Sequence, residues 1–236
     1  MKSTLFQAAA LASSLFFLSA CNTPDDAVVP SDLPYESYFQ TGTDSWTADI
    51  VDYSTAQDSI MEFKFGRSKL PAPLDTTRQS LMLSSMNRSD DAFMYVTKKL
   101  SGLLPNTSYS LIFDIELASQ YPSNSIGIGG SPGGSVYLKA GGVSFEPKKV
   151  LQDGQYTLEN VDKGNQLQDG ENLTLLGNVG TGNDTEGYQL ITRTNANAPI
   201  TVRTNANGEL WLIVGTDSGF EGLTTLYYSK INVTAR

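Results

Sequence analysis

The chain has 236 residues, and its 25 acidic side chains outnumber 16 basic ones, for a formal net charge of −9 at pH 7. An acidic surface of this kind excludes nucleic acid as a partner and electrostatic docking on anionic lipid headgroups. There is no histidine and a single cysteine, Cys21, which rules out a Ser-His-Asp triad, histidine-ligated zinc or copper, an imidazole base and any intrachain disulfide.

From the start of the chain, Lys2 precedes an almost uncharged run, Leu5 to Leu18, that is too short to span a bilayer comfortably. The small residues Ser19 and Ala20 stand just before Cys21. Leu18-Ser19-Ala20-Cys21 resembles the lipobox of bacterial lipoproteins. That resemblance implies removal of residues 1–20 as a signal peptide, thioether lipidation of Cys21, acylation of the new N-terminus and firm membrane attachment through the acyl chains. Asn22 stands where Asp retains lipoproteins in the inner membrane of enteric-type bacteria, so the outer membrane is the expected location. Asp25-Asp26 resembles the acidic surface-export tether of some Bacteroidota lipoproteins. Residues 21–34, with Pro24, Pro30 and Pro34, read as the lipidated terminus and a flexible stalk. Residues 35–236 then form a single domain.

No segment of that domain shows a helical stripe. Short runs rich in Val, Ile, Thr, Tyr and Phe recur between Gly, Asn, Asp and Pro. The pattern predicts strands at Trp46–Tyr53, Ser59–Phe65, Ser80–Met86, Ala92–Leu100, Ser108–Ala118, Ser135–Ala140, Leu173–Val179, Tyr188–Thr194, Pro199–Thr204, Glu209–Thr216 and Thr224–Val233. Alternation is clearest in Ser108–Ala118, where Tyr109, Leu111, Phe113, Ile115 and Leu117 share one face. Many strands at regular spacing predict an all-β fold, a two-sheet antiparallel β-sandwich, jelly-roll-like. Arg193-Thr194-Asn195-Ala196-Asn197 recurs ten residues later as Arg203-Thr204-Asn205-Ala206-Asn207, which predicts consecutive strands of a meander. Trp211, flanked by Leu210, Leu212, Ile213 and Val214, is assigned to the core.

Polar residues between and within these strands are the candidate ligand contacts. Asn87, Arg88, Asp90 and Asp91 offer an amide, a guanidinium and two carboxylates in one turn. Asp162, Lys163, Asn165 and Gln166 form a second group, and Asp217, Ser218 and Glu221 a third at a strand end. Glu116 and Lys139 are charges inside apolar strands, where each needs a ligand, a partner or water. The run Gly127–Gly134 lacks the Gly-Lys-Ser/Thr ending of a nucleotide loop and opens no helix, so it predicts a glycine-rich lid or a tightly folded turn. Oxygen-rich turns also suit a structural calcium ion, but none has EF-hand spacing, and no cofactor is expected.

Trp46–Tyr53, Asn87–Met94, Gly127–Gly133, Ser135–Gly141, Asp162–Gln166 and Gly215–Gly222 together resemble a family of secreted or lipid-anchored bacterial proteins with no established activity. The stretch Lys99-Leu100-Ser101-Gly102-Leu103-Leu104-Pro105-Asn106-Thr107-Ser108-Tyr109 resembles a strand–turn–strand of jelly-roll carbohydrate-binding modules. Where many of those have Asp or Asn after an aromatic pair, often near calcium, this chain has Ser229-Lys230 after Tyr227-Tyr228. The leading expectation is a non-catalytic, outer-membrane-anchored domain that binds a glycan or other polar molecule through Trp46, Tyr95, Tyr137 and acidic loops. One alternative is a histidine-independent carbohydrate-active enzyme with a carboxylate pair drawn from Asp90, Asp91, Glu116, Asp162, Asp217 and Glu221, with Lys139 beside it. The other is an envelope assembly lipoprotein that binds a protein partner along a sheet edge.

Overall fold

The computed structural model describes residues 32–236; the expected signal peptide, Cys21 and most of the expected stalk lie outside the described residues. The strands are β1 (Leu33–Ser37), β2 (Thr47–Val51), β3 (Tyr53–Ser54), β4 (Lys64–Lys69), β5 (Gln79–Met86), β6 (Ala92–Leu100), β7 (Ser108–Ser119) and β8 (Val136–Val143). They continue with β9 (Lys149–Gln152), β10 (Gln155–Leu158), β11 (Leu173–Asn178), β12 (Gln189–Thr194), β13 (Ile200–Arg203), β14 (Leu210–Ser218) and β15 (Leu223–Ala235).

All pairings are antiparallel. The first large sheet runs β12-β7-β15-β5-β4, with β13 also on β7 and β1 also on β15; the second runs β11-β8-β14-β6-β2. The chain switches sheets at each step from β5 through β8 and again from β13 to β15, which gives the jelly-roll-like sandwich. Leu111, Phe113, Ile115 and Leu117 of β7 face Met94 and Val96 of β6 and Leu212 and Val214 of β14 across one core. Strict alternation in β7 buries every second side chain because the pleat turns successive residues to opposite faces. In β15 a register shift between Tyr228 and Lys230 keeps Leu226, Tyr228, Ile231 and Val233 all inward despite their uneven spacing.

Several expectations change. The expected strand Ser59–Phe65 is instead a 3-10 turn, Thr55–Ile60, followed by β4. The Ser54 N–H donates to Gln57 Oε1 at 3.0 Å, so a side chain satisfies the backbone where a ladder would have done so. Leu33 and Pro34 pair with Ala235 and Thr234 in β1, a strand that was not expected. The ten-residue repeat is not a meander. β12 and β13 lie end to end along the same edge of β7, and Asn195 fills the gap between them. Its Oδ1 accepts from the Phe113 N–H at 2.7 Å and its Nδ2 donates to the Leu111 carbonyl at 3.1 Å, so one side chain continues the ladder where the backbone has left it.

A small third sheet, β3-β10-β9, also escaped the strand pattern. Its hairpin turns at Asp153-Gly154, both with positive φ, and that dipeptide was the available signal.

Candidate ligand-binding site

The outer face of the second sheet is not left to water. Val51, Phe93, Tyr95, Val143, Leu173 and Ile213 form a second apolar cluster, against which Leu158, Val161 and Trp211 pack. Residues 159–172, joining β10 to β11, lie over this face as a cover. Glycine lets the cover and the aromatic rings sit close. A Cβ on Gly141 would run into the Asn172 carbonyl, and one on Gly215 would meet the Phe93 ring at 2.6 Å and the Tyr95 Cβ at 2.7 Å. The Phe93 and Tyr95 rings stack with centroids 5.5 Å apart.

Under the cover sits a group of charges. Register places Asp217 opposite Tyr137 and Gly215 opposite Lys139, so Lys139 and Asp217 are diagonal neighbours on β8 and β14. Both are fully buried, with Nζ 3.5 Å from Oδ2. Lys139 donates to the carbonyls of Lys163 at 2.8 Å and Gln168 at 2.9 Å, which ties the cover to the sheet. Lys163 reaches back from the cover to Asp217 Oδ2 at 2.9 Å, Asp52 Oδ2 at 3.3 Å and Asp91 Oδ1 at 3.8 Å. Its ammonium stands 5.6 Å from the centre of the Phe93 ring. Burial pushes the Lys139 pKa down, whereas the surrounding carboxylates, Asp217 foremost, hold that of Lys163 up despite burial. Burial, opposed by Lys163, also raises the Asp52 carboxyl and takes that of Asp91 to about 6.

Two openings flank this covered region, and the β9–β10 hairpin contributes to both. The first is an acidic cleft of about 670 Å³ lined by Asp52, Ser54, Gln57, Arg88, Ser89, Asp90, Asp91, Gln155, Thr157 and Glu221. The second is a groove of about 430 Å³ whose lining includes Trp211, Tyr95, Ser45, Thr47, Thr97, Asp49, Glu146, Lys99 and Lys149. Here Lys99 stands 5.0 Å from the centre of the Trp211 ring and pairs with Glu209 at 2.5 Å. Lys149 pairs with Asp49 at 3.3 Å and donates to the Tyr53 hydroxyl at 2.7 Å.

Of the candidates read from sequence, Arg88, Asp90, Asp91 and Glu221 line the acidic cleft, while Lys139, Lys163 and Asp217 lie buried behind it. The others hold loops in place. Asn87 is buried and donates to the carbonyls of Ser218 and Phe220 at 2.7 and 2.9 Å. Ser218 Oγ donates to the Phe220 carbonyl at 2.9 Å. Asp162 accepts the Gly164 and Glu171 N–H groups and the Asn165 carbonyl accepts the Gln168 N–H, so both shape the cover. Gln166 spans from the cover to the Asp90 carbonyl at 3.2 Å. Glu116 is not brought to either opening. It sits on the first sheet, bonded to Arg78 at 2.7 Å and to the Ser229 hydroxyl at 2.6 Å.

The aromatic assignments are partly reversed. Trp46 is core, with its Nε1 donating to Ser37 Oγ at 3.0 Å. Trp211 is partly exposed on the outer face, because strand alternation turns Leu210, Leu212 and Val214 inward and Trp211 away from them. The glycine-rich run is a tightly folded turn. A Cβ on Gly133 would strike the Pro122 carbonyl and one on Gly129 the Gly219 carbonyl, and the Ile128 carbonyl accepts from Glu221 N–H at 2.8 Å. Among the described residues no group of three or more carboxylate or other donor side chains is arranged to hold a metal ion.

No protein-family model matches the chain, and no curated protein matches it. Among solved structures it is similar to TmCBM27, a carbohydrate-binding module with specific mannan recognition, at 11% identity and a TM-score of 0.40 over 88% of this chain and 99% of that one. It is similar too to the K3 cleaved adhesin domain of Lys-gingipain from Porphyromonas gingivalis W83, at 11% identity and a TM-score of 0.40 over 86% and 98%. A family 11 carbohydrate-binding module of the Clostridium thermocellum cellulase Lic26A-Cel5E matches at 7% identity and a TM-score of 0.37 over 85% and 93%. These likenesses are remote, and the function rests on the site's own residues.

Proposed function

We propose that this sandwich is a non-catalytic glycan-binding domain, held on a bacterial outer membrane by acyl chains on Cys21. The observation that supports it most is the groove at Trp211. A partly exposed indole there borders three hydroxyl side chains, Ser45, Thr47 and Thr97, and two carboxylates, Asp49 and Glu146. An indole offers a flat apolar face to the C–H side of a sugar ring, and carboxylates and hydroxyls satisfy the ring's own hydroxyls. Both lysines of the groove already have carboxylate partners, and the chain is acidic overall, so the ligand that fits is a neutral saccharide. Affinity electrophoresis through gels containing neutral polysaccharides tests this. Retardation of the wild-type chain, lost in Trp211→Ala, is the expected result. A folded wild-type chain that no neutral polysaccharide retards refutes it.

A second reading is favoured by the acidic cleft, where Asp91 combines a raised pKa of about 6 with Asp90, Asp52 and Glu221 on the same lining. A carboxyl of raised pKa close to a second carboxyl is the arrangement that histidine-free glycoside hydrolysis uses. Release of reducing sugar by the wild type and its loss in Asp91→Asn would replace the non-catalytic reading with this one.

A further inference from the structure

The two lysines beneath the cover are not equivalent. Lys163 has carboxylates on three sides, at 2.9, 3.3 and 3.8 Å, and these keep it an ammonium. Lys139 has two peptide carbonyls, at 2.8 and 2.9 Å, and a single carboxylate further off, Asp217 at 3.5 Å. A neutral amine carries two N–H bonds and one lone pair. The two carbonyls take both N–H bonds, which leaves the lone pair for Asp217. Burial favours that neutral form by lowering the Lys139 pKa. Asp217 is itself fully buried, and its Oδ1 accepts no hydrogen bond from the protein. A buried ion pair with an unsatisfied oxygen is costly, because desolvation of both charges is only partly offset by their attraction.

We propose that Lys139 and Asp217 condense into an intramolecular amide that joins β8 to β14 beneath the cover. The Lys139 ammonium first passes a proton to the Asp217 carboxylate, which gives an amine and a carboxylic acid. The nitrogen lone pair then forms the bond to Cγ, and one carboxyl oxygen takes the negative charge beside the Lys163 ammonium. The nitrogen passes its surplus proton to the departing hydroxyl, the C–O bond breaks and water leaves. The sum is ammonium plus carboxylate to amide plus water, with no oxidant, reductant or co-reactant. The product is neutral, which removes the desolvation cost of both ions, and its carbonyl oxygen keeps Lys163 as a donor.

Peptide mapping of the full chain by tandem mass spectrometry tests the linkage independently of any glycan. The expected product is one branched peptide pair, carrying Lys139 and Asp217, whose mass is one water below the sum of its parts. Tryptic cleavage after Lys139 should be lost with it. Once formed, the pair should persist in denaturant, because the link is covalent. Lys139→Met and Asp217→Ala, with circular dichroism as the check on folding, should each lose the branched pair. Recovery of both peptides unlinked from folded wild-type protein overturns the proposal, as does a branch at Lys163 instead of Lys139.

Discussion

Glu116 shows what a strand charge does when the sheet face beneath it is partly wet. Burial alone would raise its pKa, but hydrogen bonds from Ser229 and Arg78 outweigh that and hold it below the usual glutamate range. A carboxyl depressed by folding contributes stability above its unfolded pKa and loses that contribution as pH falls through the folded value. Glu116→Gln should therefore cost about 0.5–1 kcal/mol at neutral pH, the size of a partly exposed ion pair. The difference from wild type should vanish as pH drops below the ordinary glutamate range. Urea titrations at pH 7 and pH 3 measure it, and a cost that persists at pH 3 would show that packing, not charge, holds this residue. The two tryptophans separate by the same logic of faces. Trp46→Ala should lose about 3–5 kcal/mol as a core truncation, whereas Trp211→Ala should lose clearly less and report mainly in polysaccharide retardation. The residues flanking Trp211 in sequence suggested burial, but strand period two puts a residue on the face opposite its neighbours, and only knowing which sheet face is covered decides the outcome.

At the level of elements, local pattern was enough wherever a strand makes its own case. β5, β6, β7, β12 and β14 fall within a residue or two of expectation, because each buries one face against the opposite sheet. What could not be read was placement that depends on non-local closeness. β1 gains its strand character only from β15, and the cover 159–172 has no periodicity because it is held by turns and by Lys139, which satisfies the Lys163 and Gln168 carbonyls, rather than by a ladder. Such closeness makes a prediction about glycine. Gly141 has the Asn172 carbonyl where a Cβ would go, while nothing lies within 4 Å of one on Gly66. Gly141→Ala should therefore lift the cover and cost about 1–3 kcal/mol. Gly66→Ala should range from neutral to about 1 kcal/mol stabilising, through a less flexible unfolded chain. Thermal melts of the two variants against wild type decide the point, and equal costs would refute close packing of the cover. The candidate residues of the second and third polar groups were legible as a cluster, since Asp162–Gln166 and Asp217–Glu221 do meet Asn87–Asp91. Their division into loop ties, buried charges and cleft lining was not, because it depends on which atoms the cover shields.

For the whole molecule, the direction in which the chain enters the domain relates anchor to site. Leu33 pairs with Ala235 at one end of β15, whereas the loops of the acidic cleft, 87–91 and 219–222, lie beyond Leu223 at the other. A domain tethered through residues 21–34 would thus present that cleft away from the membrane. Among the described residues no helix is long and apolar enough to cross a membrane, so on the proposed reading attachment depends on Cys21. The thiolate is the nucleophile that accepts the lipid, and a hydroxyl is far weaker at neutral pH. Cys21→Ser should therefore lose acyl labelling and membrane retention together. Its thermal melt should match that of wild type, because position 21 precedes the first strand by more than ten residues and no second cysteine exists for a disulfide. Radiolabelled palmitate incorporation and pelleting after a high-salt wash measure the two effects in one preparation. A serine variant that takes up no label yet still pellets would show that a contact other than the acyl chains holds this domain at the membrane.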